Sequence, residues 1–368
     1  MRLSLFAIFL SYLFSSSGLC SDDITGVIKN IPKSIQKANH LMKAPTTDLS
    51  CNLKLVTSSK KDPQMQTLLN KQFKKIGLKS CSRASATFID ATNPNQPIYA
   101  DISGEKILHG ASVPKLAILA ALMHQSREGD VNLDDKTKIG RKNLQTLLLM
   151  IRRSNNKKTG ESQRLLKDSD KGKKATRELS QYYGLEKISA GDGFGNGNTG
   201  RYAIYVKKKD STVVCTRSEI KKKLCRYISG KGQTASSNAV ANLYLKMAQG
   251  IFPNSSLMKD ILSQKNIHLP GKPNLKHFND RFYRFINDHN RKNKDKLVAY
   301  RKSGSLPGRI YNDSIMVEVP NCFDKKGNSC RFIAVLMTEG CYKKARNGKS
   351  YHYKLLQSFY EYILKTYS

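Results

Sequence analysis

The sequence predicts an α/β domain of the α+β kind. One antiparallel five-stranded sheet is formed by both ends of the chain, with helices on its faces and a helical insertion between the two halves. Three observations predict it: alternating apolar and polar residues near 85–103 and again over 296–340, helical spacing through most of the middle, and a closing helical run "YHYKLLQSFYEYILKTY". The chain has 368 residues, 39% of them hydrophobic and 25% charged, enough for a sizeable core without metals.

Taken in order, the first element is a targeting signal over residues 1–20. Arg2 precedes the apolar run "LSLFAIFLSYLF", and "SSSG" follows it. Twelve residues fall short of the roughly 20 that a bilayer-spanning helix needs. No later stretch is long enough either, so the expectation is an exported chain, periplasmic or secreted, without stable membrane insertion. A lipid anchor on Cys20 is disfavoured, because "SGLC" carries Leu19 where a lipoprotein box has a small residue. Residues 21–61 read as a polar leader, and 62–368 as the folded domain, with a helical subdomain at about 124–235.

"QMQTLLNKQFKKIG" places Met65, Leu68, Leu69, Phe73 and Ile76 on one helical face before Gly77 ends the run. "SATFIDAT" and "QPIYADIS" alternate across "NPNQP" and predict a hairpin. "HGASVPKLAILAAL" then opens a helix at Ser112, a residue suited to capping it. "NLQTLLLMIRRSNN" is helical up to Ser154, and "TASSNAVANLYLKMAQGIF" restores helical spacing after a capping-type start. "KLVAYRKSGS", "RIYNDSIMVEV" and "CRFIAVLMTEG" are the last three strands. The glycine-rich "GLEKISAGDGFGNGNTG" is loop, and without Gly-Lys-Ser/Thr after it the phosphate-cradle reading of "GDGFGNG" is weak.

Export would favour disulfides among the eight cysteines. Cys322 with Cys330 and Cys215 with Cys225 could each staple a hairpin. Cys51 with Cys81 is a weaker pairing, and Cys341 has no obvious partner unless Cys20 is retained. No C-x-x-C spacing occurs, so the usual zinc signature is missing and no cofactor is predicted. The net charge of +36, from 64 Lys and Arg against 28 Asp and Glu, points to anionic envelope polymers, lipid head groups or peptidoglycan carboxylates. The alternative is a merely solvated basic surface. A nucleic-acid partner loses weight behind a signal peptide.

Ser112 alone reads as a helix cap and Lys115 alone as a snorkelling side chain. Spaced i and i+3 on a helix, however, the amine reaches the hydroxyl, and burial would lower its pKa enough to make it a base. Ser154, Asn155 and Asn156 follow at the end of an apolar helix, and Lys302, Ser303 and Gly304 lie on a strand, where the glycine would let a substrate backbone approach.

Ser-x-x-Lys, Ser-x-Asn and Lys-Ser-Gly in that order resemble the penicillin-recognising serine enzymes, the class A β-lactamases and penicillin-binding D,D-peptidases. The resemblance covers about residues 62–368 and implies their fold. It implies that Ser112 attacks a β-lactam or acyl-D-Ala carbonyl, a small molecule or peptidoglycan-derived substrate, with Lys115 taking its proton. Ser154 would relay a proton to the leaving nitrogen, steadied by Lys302, while Asn156 binds the substrate's amide. The amides of Ser112 and Ser305 would form the oxyanion hole, and Ser303, Ser305 and Arg309 would hold the carboxylate. Asn155 stands where the family has Asp, which is expected to remove a buried charge, and Ser303 stands where it has Thr. Class A enzymes also carry a deacylating Glu-x-x-x-Asn. None occurs in "GLEKISAGDGFGNGNTG", whose acids are Glu186 and Asp192. The resemblance therefore leaves open a β-lactamase, a slowly deacylating D,D-peptidase-like enzyme, or a non-catalytic basic envelope-binding protein on the same fold.

Overall fold

Apolar residues alternate between two buried faces along the strands, and this sets the layers. On strand β11 (Ser329–Glu339), Ile333, Val335 and Met337 point into one core, while Phe332, Ala334 and Leu336 point into the other. Ile89 and Phe88 divide in the same way on β2 (Arg83–Asp90), as do Met316 and Ile315 on β10 (Ile310–Phe323). A strand buried on both faces needs helices on both. The computed structural model describes residues 60–78, 81, 83–127, 129–166, 187–189, 204–207, 225–229, 233–264, 267, 277–306, 310–340 and 351–367.

The main sheet runs β1-β3-β2-β11-β10-β9, with β1 at Lys60–Lys61, β3 at Ile98–Ile102 and β9 at Val298–Leu306. Five of these are the expected antiparallel strands drawn from both chain ends. The sixth, β1, is a two-residue addition pairing parallel with β3, too short to leave a periodic signal. One face carries α1 (Pro63–Lys75), α7 (Arg281–Lys292) and α8 (Tyr351–Tyr367). The other carries α2 (Lys115–Arg127), α3 (Lys138–Arg152), α5 (Ser237–Ala248) and α6 (Ser255–Leu262). The helix α4 (Asn156–Leu165) follows α3 directly.

Local chemistry accounts for several helix boundaries. Asp62 caps α1 by accepting from Met65 N at 2.7 Å, Pro63 holds the first position, and Gly77 at φ 74 turns the chain out. Thr137 caps α3 through Gly140 N, and Ser236 caps α5 through Ala239 N. The helix α2 is buried on every side from Lys115 to Met123, which makes it the central helix of its layer.

Three helices escape the sequence reading: α4, α6 and α7. The first two are 10 and 8 residues long, and α6 starts from Asn254 in the left-handed region without a side-chain cap. The third, α7, has a clear apolar stripe in Phe282, Tyr283, Phe285 and Ile286 but likewise lacks a side-chain cap.

Cys322 and Cys330 are disulfide-bonded, as their spacing suggested. Cys81 is also in a disulfide. Cys20, Cys51, Cys215, Cys341 and the side chain of Cys225 fall outside the described residues, as do the expected signal segment and the expected leader up to residue 59. Among the described residues, no helix is long and apolar enough to cross a membrane.

Candidate active site

The two-residue strand β4 (Leu108–His109) pairs with β8 (Thr234–Ala235), which also pairs with β5 (Ile188–Ser189), while β6 (Ile204–Lys207) and β7 (Cys225–Ser229) pair with each other; β4 delivers the chain into a tight turn ahead of α2. Gly110 N donates to Gln233 O at 2.7 Å, Val113 N to Gly110 O at 3.0 Å and Lys115 N to Ser112 O at 3.3 Å. Ser112 therefore sits in this turn, half-buried, one residue after Ala111 at φ 49. Its hydroxyl caps no amide among the described residues, so the expected capping role gives way to a serine whose oxygen is not committed to the helix. His109 does part of that work instead, its Nδ1 accepting from Ala111 N at 3.0 Å.

Strand β9 closes on this turn at Gly304. A Cβ there would lie 2.6 Å from both Gly110 O and Ser112 N, and 2.9 Å from Val113 N. The glycine thus admits the chain's own backbone at close range. Gly304 pairs with Asn312 and Ser305 with Tyr311 across the ladder to β10. Ser305 is exposed and Ser303 half-buried at the end of the strand.

Lys115 and Lys302, both fully or almost fully buried, converge on Ser154. Lys115 Nζ donates to Ser154 O and to Asn156 Oδ1, each at 2.8 Å. Lys302 Nζ donates to Ser154 Oγ and, at 2.6 Å, to Ser303 O. Burial pushes the Lys115 amine down to about 7. Burial, the Lys115 charge and the Arg301 charge together hold Lys302 well below the ordinary lysine range. Ser154 has φ 51, so serines on both sides of the site lie at or next to left-handed non-glycine backbone, a feature that concentrates at functional sites.

Asn155 is exposed and caps α4, its Oδ1 accepting from Lys158 N at 2.9 Å. The expected loss of a buried structural charge is therefore corrected: the position is a helix cap in which Asn serves as well as Asp. Ser112, Lys115, Ser154, Asn156, Lys302, Ser303 and Gly304 are thus joined by hydrogen bonds or backbone contact, with Ser305 adjoining on β9. Arg309 lies outside the described residues, as do Glu186 and Asp192.

The sequence reading missed the residues that brace the turn. Asn312, fully buried, donates from Nδ2 to His109 O at 2.8 Å and accepts from Thr338 N through Oδ1 at 2.8 Å. Glu339 accepts His109 N at 2.6 Å and the Arg83 guanidinium at 3.0 Å. A signal was available: Asn312, Asp313 and Ser314 put three consecutive polar residues ahead of the apolar run Ile315–Val317, and buried polar groups need partners. A separate cavity of 410 Å³ between α6, α7 and the start of β9 contains none of these residues. Much of its polar lining is already paired, Tyr283 with two backbone carbonyls and Asn290 with Leu297 in both directions.

The sheet with helices on both faces, the central helix and the three short motifs meeting at one point define the β-lactamase and transpeptidase class. A family model described as the β-lactamase enzyme family matches residues 68–350, and the chain belongs to that family. Among solved structures it is similar to a β-lactamase from Sphaerobacter thermophilus, with 12% identity, 81% of this chain and 95% of that one covered, and a TM-score of 0.51. A β-lactamase from Chitinophaga pinensis shares 11% identity over 81% and 99% of the two chains with the same TM-score, 0.51. A β-lactamase from Burkholderia vietnamiensis shares 14% over 80% and 96%, also at 0.51. No curated protein matches the sequence.

Proposed function

We propose that this protein is an exported serine acyl-transfer enzyme that forms an acyl-enzyme at Ser112 with β-lactams or acyl-D-Ala peptides. The observation that carries the reading is the convergence of two buried lysines on Ser154, beside a serine held in a strained turn at the start of α2. A lysine whose pKa is pushed down to about 7 is neutral often enough at physiological pH to accept a proton.

In the proposed sequence, Ser112 Oγ attacks the carbonyl carbon and its proton passes to Lys115 Nζ. The amides of Ser112 and Ser305 stabilise the developing oxyanion, with a single such donor typically worth about 3 kcal/mol. The C–N bond then breaks, and the leaving nitrogen takes a proton from Ser154 Oγ. Ser154 is reprotonated from the lysine pair, so the proton taken from Ser112 ends on the leaving group. Lys302, Ser303, Ser305 and Arg309 receive the substrate carboxylate, and Asn156 its amide. Water finally cleaves the ester, releasing the acid and restoring the Ser112 hydroxyl.

A second reading is favoured by one feature of the sequence. The segment 184–200, of which Ile188–Ser189 forms a strand and not the expected loop, carries no Glu-x-x-x-Asn to activate that water, which supports a long-lived acyl-enzyme of the D,D-peptidase kind. Labelling with a fluorescent penicillin tests the common step. Wild type should label, and Ser112→Ala and Lys115→Ala should not; equal labelling of wild type and Ser112→Ala overturns the mechanism. Intact mass after a chromogenic cephalosporin separates the two readings, turnover marking a β-lactamase and a persistent adduct a penicillin-binding enzyme. No labelling of wild type by any penicillin or acyl-phosphonate would leave the envelope-binding reading.

A further inference from the structure

We propose that His109 is a positioning residue for acylation, its imidazole and backbone together fixing the Gly110–Ala111 peptide and, through the backbone of Ala111, the direction of the Ser112 amide. The inference rests on the acyl-transfer reading above. His109 is held at three points by three different parts of the fold. Its N–H donates to the Glu339 carboxylate at the end of β11, its carbonyl accepts from the Asn312 amide on β10, and its pairing with Thr234 on β8 fixes the strand it belongs to. From that anchored frame its Nδ1 accepts the Ala111 N–H at 3.0 Å.

The bond matters because of what Ala111 is doing. At φ 49 it occupies the left-handed region without being glycine, a strained conformation that persists only when the surroundings impose it. Ala111 is 3% exposed, so water is a poor substitute acceptor for its N–H. The same turn packs closely on β9 at Gly304, where a Cβ would lie 2.6 Å from both Gly110 O and Ser112 N. The Gly110–Val113 turn is thus clamped by an imidazole acceptor and by close packing against Gly304. The amide that leaves this clamp is the Ser112 N–H, the proposed oxyanion donor.

An acceptor role requires Nδ1 to be unprotonated, with the ring proton on Nε2. Asn can supply an amide oxygen at a position close to that of Nδ1, while Phe fills the ring volume without an acceptor. Ala removes both.

The test uses the full chain and its His109→Asn, His109→Phe and His109→Ala variants, with thermal melts to establish folding. Rapid-mixing acylation by a penicillin resolves the acylation rate and the binding constant separately, and hydrogen exchange reads the Ala111 amide directly. His109→Phe should acylate at least about tenfold more slowly with binding little changed, since misdirecting an oxyanion donor acts on the transition state. Its Ala111 amide should exchange faster. His109→Asn should stay within about threefold of wild type in acylation and keep the amide protected. If the Phe variant does not fold, His109→Ala gives the same comparison. Wild-type acylation together with wild-type exchange in the acceptor-less variant overturns the proposal, and so does an Asn variant as slow as Phe. If wild type itself is never acylated, the acyl-transfer reading has failed. The exchange data then still decide the clamp: a protected Ala111 amide that opens only without the acceptor upholds it, and one unprotected in wild type refutes it.

Discussion

At Lys115, burial and chemistry act on the same amine. The side chain is fully buried, and loss of hydration pushes its pKa from the ordinary 10.5 down to about 7. Acylation needs the neutral amine, so its rate should rise as pH increases through about 7 and level off above. A pH profile of penicillin labelling at constant ionic strength checks this, and a flat profile between pH 5.5 and 8.5, each roughly 1.5 units from that value, counts against Lys115 as the base. The same shift has a stability consequence of definite sign. From about 7 to 10.5 the unfolded chain holds a proton on this lysine that the folded chain does not, so this group makes the fold more stable as pH rises across that window. Ser112, Lys115 and Lys302 were legible because catalytic chemistry demands particular residue types in particular order. His109 was not, because its role arises from what its imidazole and backbone touch in the fold.

Strand β9 shows how an element is held in register for the site. Arg301, immediately before Lys302, is 1% exposed and makes a bidentate bond to Asp313, with Nε at 2.7 Å and Nη2 at 2.8 Å. It also donates to Asp280 at 2.7 Å and to Phe278 O at 3.0 Å, which ties β9 to the start of α7. Burial opposes the guanidinium charge, but the two carboxylates outweigh it and raise the Arg301 pKa above its usual range. Removing one partner of such a pair leaves a buried charge uncompensated. Asp313→Ala should therefore lose about 3–5 kcal/mol in urea unfolding, while an Arg301→Met, Asp313→Leu double variant should lose less than the single one. A single variant as stable as wild type would show that Asp280 alone suffices. The five long strands of the main sheet and the helices α1, α3, α5 and α8 could be read from periodicity, and α2 from its unbroken apolar run. In contrast, α4 and α6 are short, α6 and α7 lack a side-chain cap, and their helical state depends on what they pack against.

Over the whole molecule, the excess of 64 basic over 28 acidic residues sets a positive field, and part of it lies at the site. Arg153 and Lys157 are exposed on either side of Ser154–Asn156, with Arg153 stacked over the exposed Phe278 ring at 5.5 Å. Such a field draws anions toward the mouth over distances that salt cuts to ~10 Å at 0.1 M. The second-order acylation constant for a penicillin with two carboxylates should fall by roughly threefold or more between about 20 and 500 mM NaCl. A penicillin carrying a compensating ammonium should change less. Equal salt responses would place the basic excess elsewhere than in substrate capture.

Residue order and period determined by themselves the antiparallel strands at both chain ends, the buried helix behind Ser112 and the succession of three motifs. Each of these is carried by a few consecutive residues whose spacing matches a strand or a helix. Tertiary structure alone decided that Gly304 faces the protein's own Ser112 amide, that Asn155 is an exposed cap, and that His109 is gripped by Asn312 and Glu339, more than 200 residues further along the chain. It also decided the state of the two lysines, because a pKa depends on how much water and which charges remain around the group after folding. Contacts between distant segments and burial are properties of the assembled layers, and no local pattern encodes them.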